Sequence, residues 1–133
     1  MHRYTIAIAI AAGLLASLPV AAQTVVVGHP SAAALTAEQV ADIFQGKSQA
    51  ATPLDLPEAS PTRADFYKKA TGKEPGQIKA LWARLAFTGK AQPPKELPDA
   101  AAVKKAVAAD PKAVGYIDKA SVDGSVKTLL TLP

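Results

Sequence analysis

Short apolar or β-branched runs alternate along this chain with helices whose ends are marked by capping residues. In the clearest helix, Ser60 stands at the N-cap position, Pro61 at the first helical residue and Gly72 just beyond the last periodic position. Strands separated by helices are typical of an α/β layer structure with a sheet that is at least partly parallel. This alternation limits the possible folds more than any other feature of the sequence.

Three further helices are predicted besides the one that begins at Ser60. They run over residues 36–46, 74–89 and 99–110, and the middle one carries the strongest amphipathic pattern, at Ile78, Leu81, Trp82 and Leu85. Four aromatic side chains belong to these helical stripes or their ends and are predicted to be core: Phe44, Phe66, Trp82 and Phe87. Tyr67 and Tyr116 fit either the core or the rim of the sheet.

Four strands are predicted, at residues 24–27, 53–56, 113–117 and 126–132, with a turn at Asp123 and Gly124. Prolines on both sides keep the second strand short and edge-like. In α/β folds, ligands collect at the carboxyl ends of strands and at the starts of the helices that follow. We therefore expect residues 28–31 and 60–63 to lie on the same rim.

The first 22 residues have the pattern of a secretory signal peptide. His2 and Arg3 precede an apolar run, and Pro19 and small residues ending at Ala22 follow it. A membrane anchor is the competing interpretation, but the run is shorter than the ~20 residues that a spanning helix needs. We predict cleavage after Ala22, which leaves one small periplasmic domain at residues 23–133.

Composition excludes several classes of function. The chain has no Cys, so it has neither disulfides nor a lipid-modified Cys, and its two His residues form no metal-binding motif with carboxylates. An enzyme is the least expected class, because Ser60 has no evident base partner, and no cofactor is expected. With 15 basic and 11 acidic residues, the charge is too mild and too dispersed to indicate nucleic-acid binding.

The start of the helix at Ser60 offers hydrogen-bond donors to a small anion. Its first backbone N–H groups have no intrahelical acceptor, and the hydroxyls of Ser60 and Thr62 and the guanidinium of Arg63 follow closely in sequence. His29 and Ser31, on the expected rim, are further candidate donors. The simpler interpretations are that Ser60 only caps its own helix and that His29 is solvated or a capping residue.

Three stretches resemble the phosphate-type substrate-binding proteins of ABC importers, which have the type 2 periplasmic binding protein fold. They are LTAEQVADIFQGK at residues 35–47, ASPTRADFY at 59–67 and DPKAVGYID at 110–118. The resemblance covers nearly all of the chain after the leader, in the family's order. It implies a single lobe of that fold, with a small mixed sheet flanked by about four helices.

The resemblance also implies a ligand and partners. The family holds phosphate with a Ser-Gly-Thr turn, which Ser60 and Thr62 match, whereas Pro61 replaces the Gly and removes one N–H. The family's Arg before this turn has no counterpart, although Arg63 can stand in if it points toward the helix start. Partners implied are phosphate or a related oxyanion and an ABC permease, with any membrane contact made only through a partner.

A single lobe lacks the opposing wall of the usual cleft, so we expect weak binding by the monomer. Three outcomes stay open: weak oxyanion binding, a cleft completed by a second copy in a homodimer or by another protein, or a lobe kept for protein contact alone. The main alternative to oxyanion binding is therefore a periplasmic protein–protein interaction module.

Overall fold

The computed structural model describes residues 23–133, and the predicted leader lies outside the described residues. The described part is a mixed α/β structure. Its elements are, in chain order, β1 (Thr24–Gly28), α1 (Ala37–Phe44), β2 (Thr52–Asp55), α2 (Pro61–Thr71), α3 (Pro75–Phe87), β3 (Lys95–Glu96), α4 (Ala100–Ala109), β4 (Ala113–Asp118), a 3-10 turn (Lys119–Ser121) and β5 (Lys127–Leu132).

The five strands form one sheet in the order β3-β2-β4-β1-β5. β2 runs parallel to both β3 and β4, whereas β1 runs antiparallel to β4 and β5. The expected partly parallel sheet is thus confirmed. β2 and β4 finish at the same end of the sheet, and β1 begins there; we call this end the carboxyl end of β2 and β4.

The helices begin where the capping residues predicted. Thr36 Oγ1 accepts a hydrogen bond from the Gln39 N–H at 3.1 Å, and the Gln39 side chain accepts one from the Thr36 N–H at 2.9 Å. Asp99 caps α4 by accepting from the Ala102 N–H at 2.9 Å. These contacts satisfy N–H groups that have no acceptor within the helix, and so each fixes a helix start.

Four aromatic rings meet in the core between α1, α2 and β4. Phe66 stacks on Tyr116 with centroids 4.0 Å apart, and Phe44 meets Phe66 edge to face at 4.7 Å. Tyr67 completes the cluster, and each of these side chains is fully buried. Both tyrosines therefore belong to the core rather than to an exposed rim.

The prediction that Phe87 is core is wrong, because its side chain is 93% exposed. Within α3 the buried residues are Ile78 and Trp82. At about 100° per residue, Phe87 projects about 140° away from Trp82, on the far side of the helix. The aromatic residue type suggested burial, but the helical position decides the side on which it lies.

A second correction concerns the proline-containing loop before α4. Lys95 and Glu96 form the two-residue strand β3, which pairs with Leu54 and Asp55. β2, predicted to be edge-like, consequently lies between β3 and β4. Two residues are too short a run to carry an alternating pattern, so the sequence gives no signal for β3.

Candidate functional site

The loop between β2 and α2 carries the predicted oxyanion residues to the carboxyl end of β2 and β4. Ser60 caps α2, and its Oγ accepts from the Arg63 N–H at 3.4 Å. Ser60 and Thr62 are both partly buried. Within residues 23–133, the N–H and hydroxyl of Thr62 donate to no acceptor. Two donors of Thr62 and the hydroxyl proton of Ser60 are therefore left for a ligand.

Arg63 points away from this set of donors. Its guanidinium is buried, and Nη1 donates to the Leu56 carbonyl and to Glu96 Oε1, both at 2.9 Å. The same nitrogen lies 3.7 Å from Asp55 Oδ2. The expectation that Arg63 joins the hydroxyls at the helix start is wrong, since two carboxylates of the chain already hold its guanidinium.

His29 and Ser31 lie at the opposite end of the sheet from Ser60. Gly28, the last residue of β1, pairs with Val114, which also pairs with Pro53 near the beginning of β2. The expectation of a shared rim is wrong because β1 runs antiparallel to β4, and its carboxyl end therefore lies where β2 and β4 begin.

Locally, His29 and Ser31 bond to each other. The Ser31 N–H donates to His29 Nδ1 at 3.0 Å, and the Ser31 hydroxyl lies 2.7 Å from the same nitrogen. These contacts close the loop after β1. Neither side chain can contribute to a ligand held at the start of α2.

A buried polar cluster forms at the last residue of β2. Asp55 Oδ2 accepts from the Tyr67 hydroxyl at 2.6 Å, while Oδ1 accepts from the Tyr116 hydroxyl and, at 3.0 Å, from the Leu56 N–H. Arg63 faces this carboxylate as described above. A carboxylate between two leucines in a short strand is the sequence signal for such a cluster, because a buried charge must be paired.

The protonation of this cluster follows from its burial. Burial raises the pKa of Asp55, outweighing the hydrogen bonds from Tyr116 and Tyr67 and the charge of Arg63, which lower it. Burial, together with the charge of Asp55, also raises the pKa of both tyrosines far above their ordinary value. Both hydroxyls therefore stay protonated, so they can act as donors to Asp55.

Two of the cavities in the described part of the chain involve the surroundings of α2 and β2, and both lie away from the Ser60 and Thr62 hydroxyls. One of about 420 Å³ lies between the end of α1, the beginning of β2 and the loop after α3, with Gly46, Thr52 and Gln92 in its wall. The other, of about 220 Å³, lies beside the first turn of α2 and includes Arg63 and Glu96. The donors at the start of α2 line neither of these cavities.

The described residues also bear on membranes and metals. Among residues 23–133, no helix is both long and apolar enough to span a membrane. Over the same range, no three His, Asp or Glu side chains are grouped in a way that could hold a metal ion.

Comparison with known proteins shows what the fold is similar to. No family model matches the chain, and no curated protein matches it. An ABC-type phosphate transport receptor from Vibrio cholerae superposes with a TM-score of 0.62 at 20% identity, covering 80% of this chain and 45% of the receptor. A protein assigned as a phosphate ABC transporter substrate-binding protein from Clostridium perfringens, with bound phosphate, gives 0.63 at 19% identity, with 80% and 44% covered.

These superpositions agree with the architecture described above. The chain spans less than half the length of either solved protein. Its five-stranded mixed sheet and the helices of the described residues correspond to one lobe. The chain thus has the fold of a single lobe of a phosphate-binding-protein-like structure.

Proposed function

We propose that this chain is an exported solute-binding lobe that takes phosphate or a related oxyanion at the start of α2. The observation that carries the proposal is Thr62, whose N–H and hydroxyl have no acceptor within residues 23–133. The Ser60 hydroxyl accepts from the helix and keeps its own proton for a ligand. A helix start with free donors favours an anion through hydrogen bonding and through the helix dipole.

The position of these donors supports the same role. They lie where the parallel strands β2 and β4 finish, which is where ligands collect in α/β sheets. One protein with a similar fold is solved with bound phosphate. The proposed role is binding rather than catalysis, with delivery to an ABC permease or to another periplasmic protein.

The proposed site is smaller than the sequence predicted. Arg63 supplies no charge at the helix start because its guanidinium is held by Glu96 and Asp55. Hydrogen bonds from neutral donors beside bulk water are weaker than charge-assisted bonds in a closed cleft. We therefore expect phosphate to bind with a dissociation constant of about 1 mM, corresponding to roughly −4 kcal/mol.

The leader pattern of residues 1–22, which ends in small residues at Ala22, supports export. The exported protein is expected to begin at Gln23. Intact-mass measurement of protein recovered from the periplasm checks this, and a chain that keeps its first 22 residues would contradict it.

Phosphate titration followed by thermal unfolding tests the binding proposal. At phosphate concentrations about ten times the dissociation constant, linkage predicts stabilisation of about 1.4 kcal/mol. Ser60→Ala with Thr62→Val is expected to remove this stabilisation. Sulfate, run in parallel, shows whether the preference is for phosphate or for oxyanions generally.

Loss of a helix cap by itself lowers stability by about 1 kcal/mol, so a matched control is needed. Thr36→Ala removes the cap of α1, whose Oγ1 accepts from Gln39. It is expected to lower the melting temperature while leaving the phosphate-induced shift unchanged. If phosphate does not raise the melting temperature of the unmodified chain, oxyanion binding is contradicted.

That outcome would favour the alternative, a periplasmic protein–protein interaction module that keeps the lobe without the ligand. One specific observation supports this alternative. The guanidinium nearest the helix start is held by the chain's own carboxylates, as in a site that has been closed to anions.

A further inference from the structure

The 220 Å³ cavity beside α2 is a separate candidate binding site. It lies between the first turn of α2, helix α3 and the loop that leads into β3. Pockets for drug-sized ligands usually begin at about 300 Å³, so this cavity fits only a small molecule. Its wall excludes Ser60 and Thr62, and so it is distinct from the proposed oxyanion site.

Five charged residues line the cavity. Asp55 is 2% exposed and lies 3.7 Å from Arg63 Nη1, and two further ion pairs include exposed side chains. Arg63 Nη1 lies 2.9 Å from Glu96 Oε1, and Lys79 Nζ lies 3.3 Å from Glu58 Oε1. Glu96, Glu58 and Lys79 are more than half exposed. Exposed ion pairs contribute only about 0–1 kcal/mol, so these side chains can turn toward a ligand at little cost.

Arg63 carries unused hydrogen-bonding capacity in this wall. Its side chain is 7% exposed, and Nη1 makes both of the hydrogen bonds that the guanidinium donates within residues 23–133. Nε is buried without a partner. Nη2 donates to no acceptor within residues 23–133 and, unlike Nε, is not fully buried, so it is the guanidinium nitrogen that a ligand carboxylate can reach.

The pairing of charges narrows the ligand class. A ligand with only negative charge competes with Glu96 for Arg63 and faces Glu58, and one with only positive charge faces Arg63 and Lys79. A zwitterionic ligand can pair its cation with the carboxylates of the cavity and its anion with the basic side chains. It does so without changing the net charge of the cavity. Apart from these four charged residues and the buried Asp55, the wall is apolar, with Trp82, Ala83, Pro93 and Pro94.

We propose that this cavity binds a small free amino acid with an apolar side chain. The carboxylate is held by Arg63 and Lys79, and the ammonium by Glu96 and Glu58. The side chain packs on Trp82 and the two prolines. This function is independent of oxyanion binding at the start of α2.

Isothermal titration with L-valine, valinamide and N-acetylvaline tests the charge requirement. Valinamide lacks the carboxylate and N-acetylvaline lacks the ammonium, so each is expected to bind at least about tenfold more weakly than valine. Equal binding of N-acetylvaline and valine would overturn the proposal, as would an absence of binding by valine at concentrations up to about 10 mM.

A cavity-filling variant tests the location without disturbing the buried guanidinium. Ala83 is an exposed residue of α3 in the cavity wall, and Ala83→Phe is expected to weaken valine binding at least about tenfold. Ala101→Phe, at an exposed alanine of α4 outside the cavity, is the matched control and leaves binding unchanged.

The oxyanion variant separates the two functions. Ser60→Ala with Thr62→Val is expected to leave valine binding unchanged, and valine is expected to bind equally well with and without phosphate. Unchanged valine binding in Ala83→Phe would overturn the assignment of this cavity. Circular dichroism of each variant verifies that the chain remains folded.

Discussion

At the scale of single residues, Arg63 decides how the start of α2 can be used. Its backbone N–H donates to Ser60, while its side chain turns inward to Glu96 and the Leu56 carbonyl. The arginine expected to stand in for the family's phosphate-binding arginine thus links α2, β2 and β3. Only the neutral donors of Ser60 and Thr62 remain at the helix start.

Asp55 leads to a prediction about pH. Burial raises its pKa in the folded chain, so the folded chain binds more protons than the unfolded chain between the two pKa values. Its contribution to the free energy of unfolding is fully present below the unfolded pKa of about 3.9, and is lost as the pH rises through the folded value. Asp55→Asn removes this dependence.

The expected cost of Asp55→Asn is about 1–3 kcal/mol, because one amide oxygen replaces the two oxygens of the carboxyl group, which three donors contact. This cost is greatest at low pH and shrinks as the pH rises. Urea unfolding from about pH 4 to pH 8 measures it. Tyr67→Phe keeps the carboxylate and is expected to keep the pH dependence, whereas parallel curves for Asp55→Asn and the unmodified chain would contradict the prediction.

At the scale of elements, α4 packs in close contact with strand β4 of the sheet. A Cβ built at Gly115 in β4 would lie 2.5 Å from Val103 Cγ1 of α4. Carbon atoms of side chains do not approach so closely. With any side chain at position 115, α4 would have to move or Val103 would have to change rotamer. The glycine therefore allows α4 to pack directly on the strand.

Gly115→Ala is expected to lower the free energy of unfolding by about 1–3 kcal/mol through overpacking. Gly124→Ala is the matched control, because a Cβ there meets nothing within 4 Å. Chemical denaturation measures both. Adding Val103→Ala to Gly115→Ala should cost less than the two single costs together, and full additivity would argue against direct contact.

At the scale of the whole molecule, the described residues form a single lobe. The matched region covers 45% and 44% of the two solved proteins, so more than half of each has no counterpart in the described lobe. Among residues 23–133, Phe87 is the one large apolar side chain that is exposed. A stable dimer usually needs a larger apolar surface than this.

We therefore expect a monomer whose stabilisation by phosphate does not depend on protein concentration. Light scattering measures the mass in solution. Thermal unfolding with phosphate at low and high protein concentration shows whether the stabilisation by phosphate depends on protein concentration. A doubled mass together with a phosphate shift that grows with protein concentration would show instead that a second copy completes the cleft.

The sequence alone determined the elements that depend on local chemistry. Capping residues placed the starts of α1, α2 and α4, and periodic apolar residues identified Ile78 and Trp82 as the buried stripe of α3. These signals act over a few residues, so they can be read without knowing the fold. The partly parallel α/β sheet followed from their order along the chain, whereas the single lobe was implied by the family resemblance.

Only the tertiary structure decided which residues meet. The antiparallel direction of β1 separated His29 from Ser60, and the two-residue pairing of β3 brought Glu96 to Arg63. Strand direction and long-range charge pairing depend on contacts between residues far apart in sequence, and no local pattern encodes them. For that reason the start of α2 could be predicted from the sequence, whereas the inward turn of the Arg63 side chain could not.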